Sequence, residues 1–131
     1  MKRGSAFRIV VADDYAEARV RIRSILKAQR GWQVIGEACD GLQAVEKTAE
    51  LCPDIILLDI GMPGLNGIEA AKRIRHTCPG SRIIFVTQDG DEDVRMSALA
   101  TGAEAYLLKA NAATELLPAI EAALRNGHPR D

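Results

Sequence analysis

Short apolar runs alternate with segments of helical periodicity along the chain, and this alternation is the feature that most restricts the fold. The segments between the runs carry apolar residues on one stripe, as Ala18, Ile22 and Leu26 do after the first run. Strands that alternate with helices indicate βα units and a parallel sheet covered on both faces. We therefore predict a doubly wound (βα)₅ fold whose strands are Phe7–Ala12, Trp32–Ala38, Asp54–Ile60, Arg82–Thr87 and Ala105–Lys109.

The later helices have boundaries that local residues predict. We expect the third helix over 67–75 and the fourth over 92–100, the latter closed by a glycine at 102. Pro118 is unfavourable inside a helix, so we expect the fifth helix to begin near Thr114, which leaves the proline ring in the first turn. Asn126 and Gly127 are expected to end it.

Size and composition indicate one domain with no general affinity for nucleic acid. The chain has 131 residues, 17 basic and 18 acidic side chains, and a formal net charge of −1. A domain of this length can bury a single core, and binding to nucleic acid usually requires a basic excess. We see no signal peptide and no apolar run of membrane-spanning length. We expect a cytoplasmic protein in which the thiols of Cys39, Cys52 and Cys78 are reduced.

Asp59 follows four consecutive large apolar residues, Ile55–Leu58, and leads into a glycine-rich turn at 60–67. A carboxylate in such a position is costly to bury unless something neutralises or uses it. Asp13 and Asp14 end another apolar strand. If the two strands are parallel neighbours, three carboxylates meet at one edge of the sheet, where their mutual repulsion favours binding of a divalent cation.

The other predicted strands also end in residues that can hold an anion. Thr87 ends the fourth strand and Lys109 ends the fifth, and open α/β sheets bind ligands beyond these carboxyl ends. The set suits phosphoryl transfer to a carboxylate, with Asp59 as the nucleophile. Lys109 and the Thr87 hydroxyl would each contact one phosphoryl oxygen.

Mg²⁺ is the cation that this chemistry requires, because a carboxylate and a phosphoryl group repel one another. Asp14 and Asp59 would bind it directly together with the backbone carbonyl of Gly61. Asp13 would assist directly or through a water molecule.

Each residue also has an ordinary structural explanation. Asp13 and Asp14 could cap the next helix, Lys109 could be solvated, and Thr87 could be a strand residue chosen for packing. Asp59 resists such an explanation, because a capping or turn role needs no buried apolar run before it. The joint pattern therefore outweighs the separate alternatives.

In their order along the chain, these motifs resemble the receiver domain of two-component response regulators, the CheY-like family. The resemblance covers roughly residues 6–126, and its matching stretches are 10–14, 57–67, 83–87 and 102–109. It implies a flavodoxin-like sheet of strand order 2-1-3-4-5 in a single receiver domain over 1–131. Residues 127–131 would then be a tail or the start of a linker.

The resemblance also implies a bacterial phosphorelay function. A histidine kinase or a histidine-phosphotransfer protein would be the donor, and the protein would catalyse only its own phosphorylation and dephosphorylation. The surface of the fourth helix, fifth strand and fifth helix would change for an output domain or protein partner, and homodimerisation on phosphorylation stays open. The implied roles are phospho-acceptor for Asp59, acidic pair for Asp13 and Asp14, switch residues for Thr87 and Tyr106, and phosphate contact for Lys109.

Two departures and two alternatives accompany this interpretation. Ala110 follows Lys109 where many receivers have proline, and Gln88 is larger than the residue usually found after the switch hydroxyl. The chain could be the N-terminal receiver of a helix-turn-helix transcriptional regulator, to which residues 106–110 look similar. A Mg²⁺-dependent phosphatase with an aspartyl nucleophile is less favoured, because Gly61 stands where haloacid-dehalogenase-type enzymes need a second acid.

Overall fold

The computed structural model describes residues 7–125, in which five strands alternate with five α-helices. The alternation confirms the predicted (βα)₅ architecture. The elements are β1 (Phe7–Ala12), α1 (Ala16–Leu26), β2 (Trp32–Ala38), α2 (Gly41–Leu51), β3 (Ile55–Leu58), α3 (Gly67–Thr77), β4 (Arg82–Thr87), α4 (Glu92–Leu99), β5 (Ala105–Leu108), a short 3₁₀ helix (Lys109–Asn111) and α5 (Ala112–Arg125).

All five strands are parallel, in the order β2-β1-β3-β4-β5 that the family resemblance implies. The register pairs Ala12 of β1 with Leu58 of β3, and Leu58 with Phe85 of β4. The backbone N–H of Asp59 continues this pairing by donating to the carbonyl of Ala12 at 3.0 Å. The register therefore brings the carboxyl ends of β1 and β3 to the same edge of the sheet.

The core consists of two apolar clusters, one on each face of the sheet. On one face β3 and its neighbours pack against Ala71 and Ile74 of α3, and on the other against Leu116 and Ile120 of α5. All of Ile55–Leu58 is buried, as expected for a central strand covered on both faces. This rigid central strand supports the residue that follows it.

Side-chain caps begin several of the helices. The Asp40 carboxylate accepts from the N–H of Gln43 at 2.8 Å, and the side-chain oxygen Oδ1 of Asn66 accepts from the N–H of Glu69 at 2.9 Å. Such caps satisfy backbone donors that the first helical turn leaves without partners. Asn66 thereby defines where α3 starts and where the glycine-rich turn after β3 ends.

The predicted start of the fifth helix was wrong. The helix begins at Ala112 instead of near Thr114, so Pro118 lies in its interior. Ala112, Leu116 and Ile120 form a buried stripe at helical spacing. Burial of this stripe favours a continuous helix although the proline cannot donate a backbone hydrogen bond. The predicted end at Asn126 lies outside the described residues.

Smaller differences occur at the ends of other elements. The helix α3 continues to Thr77, and β3 covers only Ile55–Leu58. Asp54 lies before the strand, where its carboxylate accepts from the N–H of Arg8 at 2.8 Å. Lys109 follows β5 as the first residue of the 3₁₀ helix. Across 7–125, no helix combines the length and the apolar character that spanning a bilayer requires.

Candidate functional site

Three carboxylates meet at the carboxyl edge of the sheet, as the strand register requires. One carboxylate oxygen from each of Asp13, Asp14 and Asp59 lies within 4.8 Å of the other two. Asp13 and Asp59 are buried, with 1% and 5% of their surface exposed, and Asp14 is partly exposed. The structure therefore brings together all three acids that the sequence analysis selected as metal ligands.

Backbone donors hold one oxygen of each buried acid. The N–H of Tyr15 donates to Asp13 Oδ1 at 2.9 Å, and the N–H of Ile60 donates to Asp59 Oδ1 at 2.8 Å. The remaining oxygens of the two side chains approach Lys109. These contacts fix the orientation of both carboxylates without neutralising the cluster.

Lys109 places one ammonium group between the two buried acids. Its Nζ lies 2.8 Å from Asp13 Oδ2 and 3.2 Å from Asp59 Oδ2. Burial alone would lower the pKa of Lys109, but the hydrogen bond to Asp13 and the negative charge of Asp59 outweigh burial and raise it. The side chain therefore stays charged at neutral pH and balances one of the three carboxylates.

The backbone of Lys109 is anchored from α1. Arg21 donates from NH1 to the carbonyl oxygen of Lys109 at 2.8 Å. The peptide bond between Lys109 and Ala110 is trans, as are the other peptide bonds of residues 7–125. The lysine ammonium also lies 5.4 Å from the centre of the Tyr15 ring, within cation–π range.

The charge of the cluster suits a divalent cation. Burial raises the pKa of Asp13, and hydrogen bonds from Lys109 and from the N–H of Tyr15 oppose this effect only in part. Asp14 Oδ1 is buried and has no hydrogen-bond partner within the described chain. A carboxylate oxygen without a partner, beside two further acids, is the donor set that hard cations such as Mg²⁺ bind. The residues therefore fit the metal that the family resemblance implies.

A cavity of about 380 Å³ opens directly over Asp59. Its lining includes the predicted phosphate contacts Thr87 and Lys109 and the predicted carbonyl ligand Gly61. The complete lining is Tyr15, Asp59, Gly61, Thr87, Gln88, Asp89 and Lys109. A cavity of similar size, about 400 Å³, lies at the opposite edge of the sheet beside Phe7 and Trp32. It lacks the acid cluster, so the chemistry identifies the cavity over Asp59 as the candidate site.

The two predicted switch residues are linked through the peptide units of Asp89. The N–H of Asp89 donates to the buried hydroxyl of Thr87 at 3.3 Å, and the Tyr106 hydroxyl donates to the carbonyl of Asp89. The Tyr106 ring is tilted against Phe85, with 6.2 Å between the ring centres. Burial raises the pKa of Tyr106, and the negative charges of Asp89 and Asp91 raise it further.

Gly67 allows the turn after β3 to fold back onto Asp59. Its N–H donates to the carbonyl of Ile60 at 2.8 Å, and a Cβ at this position would lie 2.0 Å from the carbonyl oxygen of Asp59. No side chain fits in that space. Glycine is therefore required here by close backbone approach and not by an unusual φ angle.

Sequence reasoning missed two residues of the site. Tyr15 contributes a backbone donor to Asp13 and a ring beside Lys109, and Arg21 contributes the anchor for the Lys109 carbonyl. The position of Tyr15, directly after the acidic pair, was the available signal. Arg21 gave none, because only the folding of the chain brings α1 beside the 3₁₀ helix that Lys109 begins.

Comparison with known proteins identifies the family. The profile of the family described as response regulator receiver domain matches residues 9–121. The chain is 40% identical over 123 residues to the transcriptional regulatory protein LiaR of Bacillus subtilis, covering 94% of this chain and 58% of LiaR. It is 38% identical over 102 residues to the chemotaxis protein CheY of Thermotoga maritima, covering 78% of this chain and 84% of CheY.

A solved structure agrees in fold as well as in sequence. The response regulator domain of Thermotoga maritima CheB superposes with a TM-score of 0.86 at 37% identity, covering 93% of this chain and 98% of that domain. The chain spans about half the length of several curated relatives that it matches, including LiaR. The family match, the strand order and the acidic pocket agree: this chain belongs to the response regulator receiver domain family of two-component systems.

Proposed function

We propose that the Asp59 carboxylate accepts a phosphoryl group from a histidine kinase or a histidine-phosphotransfer protein. One observation carries the proposal. Asp59 lies at the base of an open cavity with Lys109 3.2 Å away and with two further carboxylates within 4.8 Å. A structural ion pair would need only one acid, whereas phosphoryl transfer needs an acceptor, a cation site and a phosphate contact.

The two oxygens of Asp59 have different roles in this proposal. Oδ1 accepts from the N–H of Ile60, which holds the carboxylate in place, and Oδ2 faces Lys109. Oδ2 would form the new bond to phosphorus as the bond to the donor nitrogen breaks, giving an acyl phosphate. The Lys109 ammonium would then contact a phosphoryl oxygen, exchanging one anionic partner for another.

The metal ligands in this proposal are the carboxylates of Asp13, Asp14 and Asp59 and the backbone carbonyl of Gly61. Bound Mg²⁺ would offset the repulsion between the acceptor carboxylate and the incoming phosphoryl group. The chain itself contributes the preformed acidic pocket and the Asp14 oxygen that has no hydrogen-bond partner. Receiver domains bind Mg²⁺ at such a pocket, which supports the same assignment here.

The switch in this proposal runs from Thr87 through Asp89 to Tyr106. A phosphoryl oxygen on Asp59 would accept a hydrogen bond from the Thr87 hydroxyl, and movement of the hydroxyl towards it would break the bond that the hydroxyl accepts from the N–H of Asp89. Loss of that bond would free the loop that holds the Tyr106 hydroxyl. A local change of charge would thereby alter the surface formed by α4, β5 and α5.

We propose a cytoplasmic signalling protein that acts by switching and does not turn over an external substrate. The alternative of a receiver fragment from a helix-turn-helix regulator gains support from LiaR, a transcriptional regulatory protein of which the chain spans 58%. The output, whether a further domain, a protein partner or a phosphorylation-dependent homodimer, would use the α4–β5–α5 surface. We propose no direct contact with nucleic acid by residues 7–125. The phosphatase alternative loses support because residue 61 carries no acid.

Intact-mass spectrometry after incubation with acetyl phosphate and Mg²⁺ tests the proposal. We expect one added phosphoryl group per chain, absent when EDTA replaces Mg²⁺ and absent in Asp59→Asn. Asp54→Asn is the matched control, because Asp54 is an acid at the other end of the same strand and should not affect the adduct. A phosphoryl group that persists in Asp59→Asn would overturn the assignment.

A further inference from the structure

Cys52 and Cys78 converge on one backbone carbonyl although 26 positions separate them in the chain. The carbonyl oxygen of Thr48 accepts from the N–H of Cys52 at 2.8 Å and from the thiol of Cys78 at 3.4 Å. Cys52 follows the last residue of α2, and Cys78 follows the last residue of α3. Packing of the two helices therefore brings the thiol-bearing residues together at the edge of the sheet opposite Asp59.

The two thiols differ in accessibility. Cys52 is exposed and Cys78 is buried, and both line a cleft of about 240 Å³ that also includes Pro53, Thr77 and Ser81. The pKa of the Cys78 thiol is raised, first by burial and then by the charge of Cys52 and a hydrogen bond with its thiol. The two cysteines thus share one cleft, with Cys52 open to solvent and Cys78 buried beside it.

The backbone of Cys52 has a conformation that is uncommon for a residue with a side chain. Its φ and ψ are 45° and 61°, in the left-handed region, where the residue closing a helix is usually glycine or asparagine. The NH1 group of Arg8 donates to the Cys52 carbonyl at 3.0 Å, which holds this conformation and places a cation beside the residue. Cys52 is also exposed, and a thiol must be accessible to solvent to react with an oxidant.

We propose that Cys52 and Cys78 form a reversible intramolecular disulfide when the protein meets a hydroperoxide. The bond would join the C-terminal end of α2 to that of α3. Cys39 is excluded from the pair, because it lies at the other edge of the sheet, where its thiol contacts the Gln43 side chain at 3.2 Å.

The chemistry divides into two steps that balance. The Cys52 thiol gives up its proton and the thiolate attacks one peroxide oxygen, so that the O–O bond breaks and Cys52 becomes a sulfenic acid. The other oxygen leaves as hydroxide or alkoxide and takes up that proton to form water or an alcohol. The Cys78 sulfur then attacks the Cys52 sulfur, and the S–O bond breaks. Hydroxide leaves and takes the Cys78 proton to form water. The two thiols together lose two electrons, which reduce the peroxide.

Peptide mapping tests the proposal directly. The full chain in a Cys39→Ser background is treated with hydrogen peroxide, alkylated under denaturing conditions and digested with trypsin without reduction. We expect both thiols to be lost and the peptide 48–72 to be linked to the peptide 76–82. A loop of this length should raise the melting temperature by about 10–13 °C, and a reductant should restore both the thiols and the original melting temperature.

The single variants Cys52→Ser and Cys78→Ser separate the two roles. In Cys78→Ser the exposed thiol should proceed to sulfinic acid or to a linked dimer, and in Cys52→Ser the buried thiol should stay reduced. A wild-type protein whose Cys52 is oxidised or linked between chains while Cys78 remains alkylatable would overturn the proposal. Retention of both thiols at millimolar peroxide would also overturn the proposal. Phosphorylation of Asp59 does not depend on whether the disulfide forms.

Discussion

Replacing Asp14 with asparagine should stabilise the metal-free protein and abolish its response to Mg²⁺. Asp14 lies within 4.8 Å of two carboxylates that share one ammonium group between them, so it experiences about one net negative charge at that distance. At an effective dielectric constant of about 20, two unit charges that far apart repel by about 3.5 kcal/mol. Because Asp14 is partly exposed, solvent screening reduces this repulsion, and we expect a net gain of about 1–2 kcal/mol.

Thermal unfolding in EDTA and in Mg²⁺ measures both parts of this prediction. For a chain of 131 residues, a gain of this size raises the melting temperature by about 4–7 °C in EDTA. Mg²⁺ at ten times its dissociation constant should stabilise the unsubstituted protein by about 1.4 kcal/mol. The variant should lack that increase, so the stability difference between the two proteins should nearly close in Mg²⁺.

Asp93→Asn is a suitable control, because Asp93 is an exposed acid on α4 outside the cluster. Its response to Mg²⁺ should match that of the unsubstituted protein. The reasoning is refuted if Asp14→Asn unfolds at a lower temperature than the unsubstituted protein in EDTA. It is also refuted if Mg²⁺ raises the melting temperature of both proteins equally, since the ion would then bind elsewhere.

Three further predictions concern the surroundings of Asp59. The pKa of Asp13 is raised in the folded state, so the contribution of Asp13 to stability is complete below pH 3.8 and is lost as the pH rises through the folded pKa. The unfolding free energy of the unsubstituted protein, relative to that of Asp13→Asn, should therefore fall with increasing pH, which denaturant titrations can measure. Gly67→Ala should cost about 1–3 kcal/mol by chemical denaturation and slow phosphorylation, whereas Gly90→Ala, whose Cβ would meet nothing within 4 Å, should do neither. Arg21→Ala should slow phosphorylation by acetyl phosphate a few-fold with the metal response intact, because the Lys109 carbonyl loses its anchor; an unchanged rate would contradict this role.

The strand ends were predictable from the sequence because one rule governs them all. Parallel strands point the same way, so residues after β1 and β3 must meet at one edge, whatever the details of the helices. The buried apolar run before Asp59 identified the central strand, and the observed register brings that residue beside Asp13. The location of the acid cluster therefore followed from topology and burial.

Features that depend on packing between distant elements could not be predicted. Pro118 lies inside α5 because burial of the helix stripe outweighs local propensity, and no local pattern reports that balance. The anchor from Arg21 to Lys109 joins residues 88 positions apart. The Cys52–Cys78 pair likewise arises from the packing of α2 and α3, and cysteine spacing alone indicates nothing about it.

Location of the acyl phosphate within the chain is the most direct test of the proposed function. Borohydride reduces an aspartyl phosphate to homoserine, which tandem mass spectrometry can assign to one position after tryptic digestion. The account predicts homoserine at residue 59, in the peptide 48–72, after incubation with acetyl phosphate and Mg²⁺. Homoserine at Asp13, Asp14 or Asp54 would contradict it.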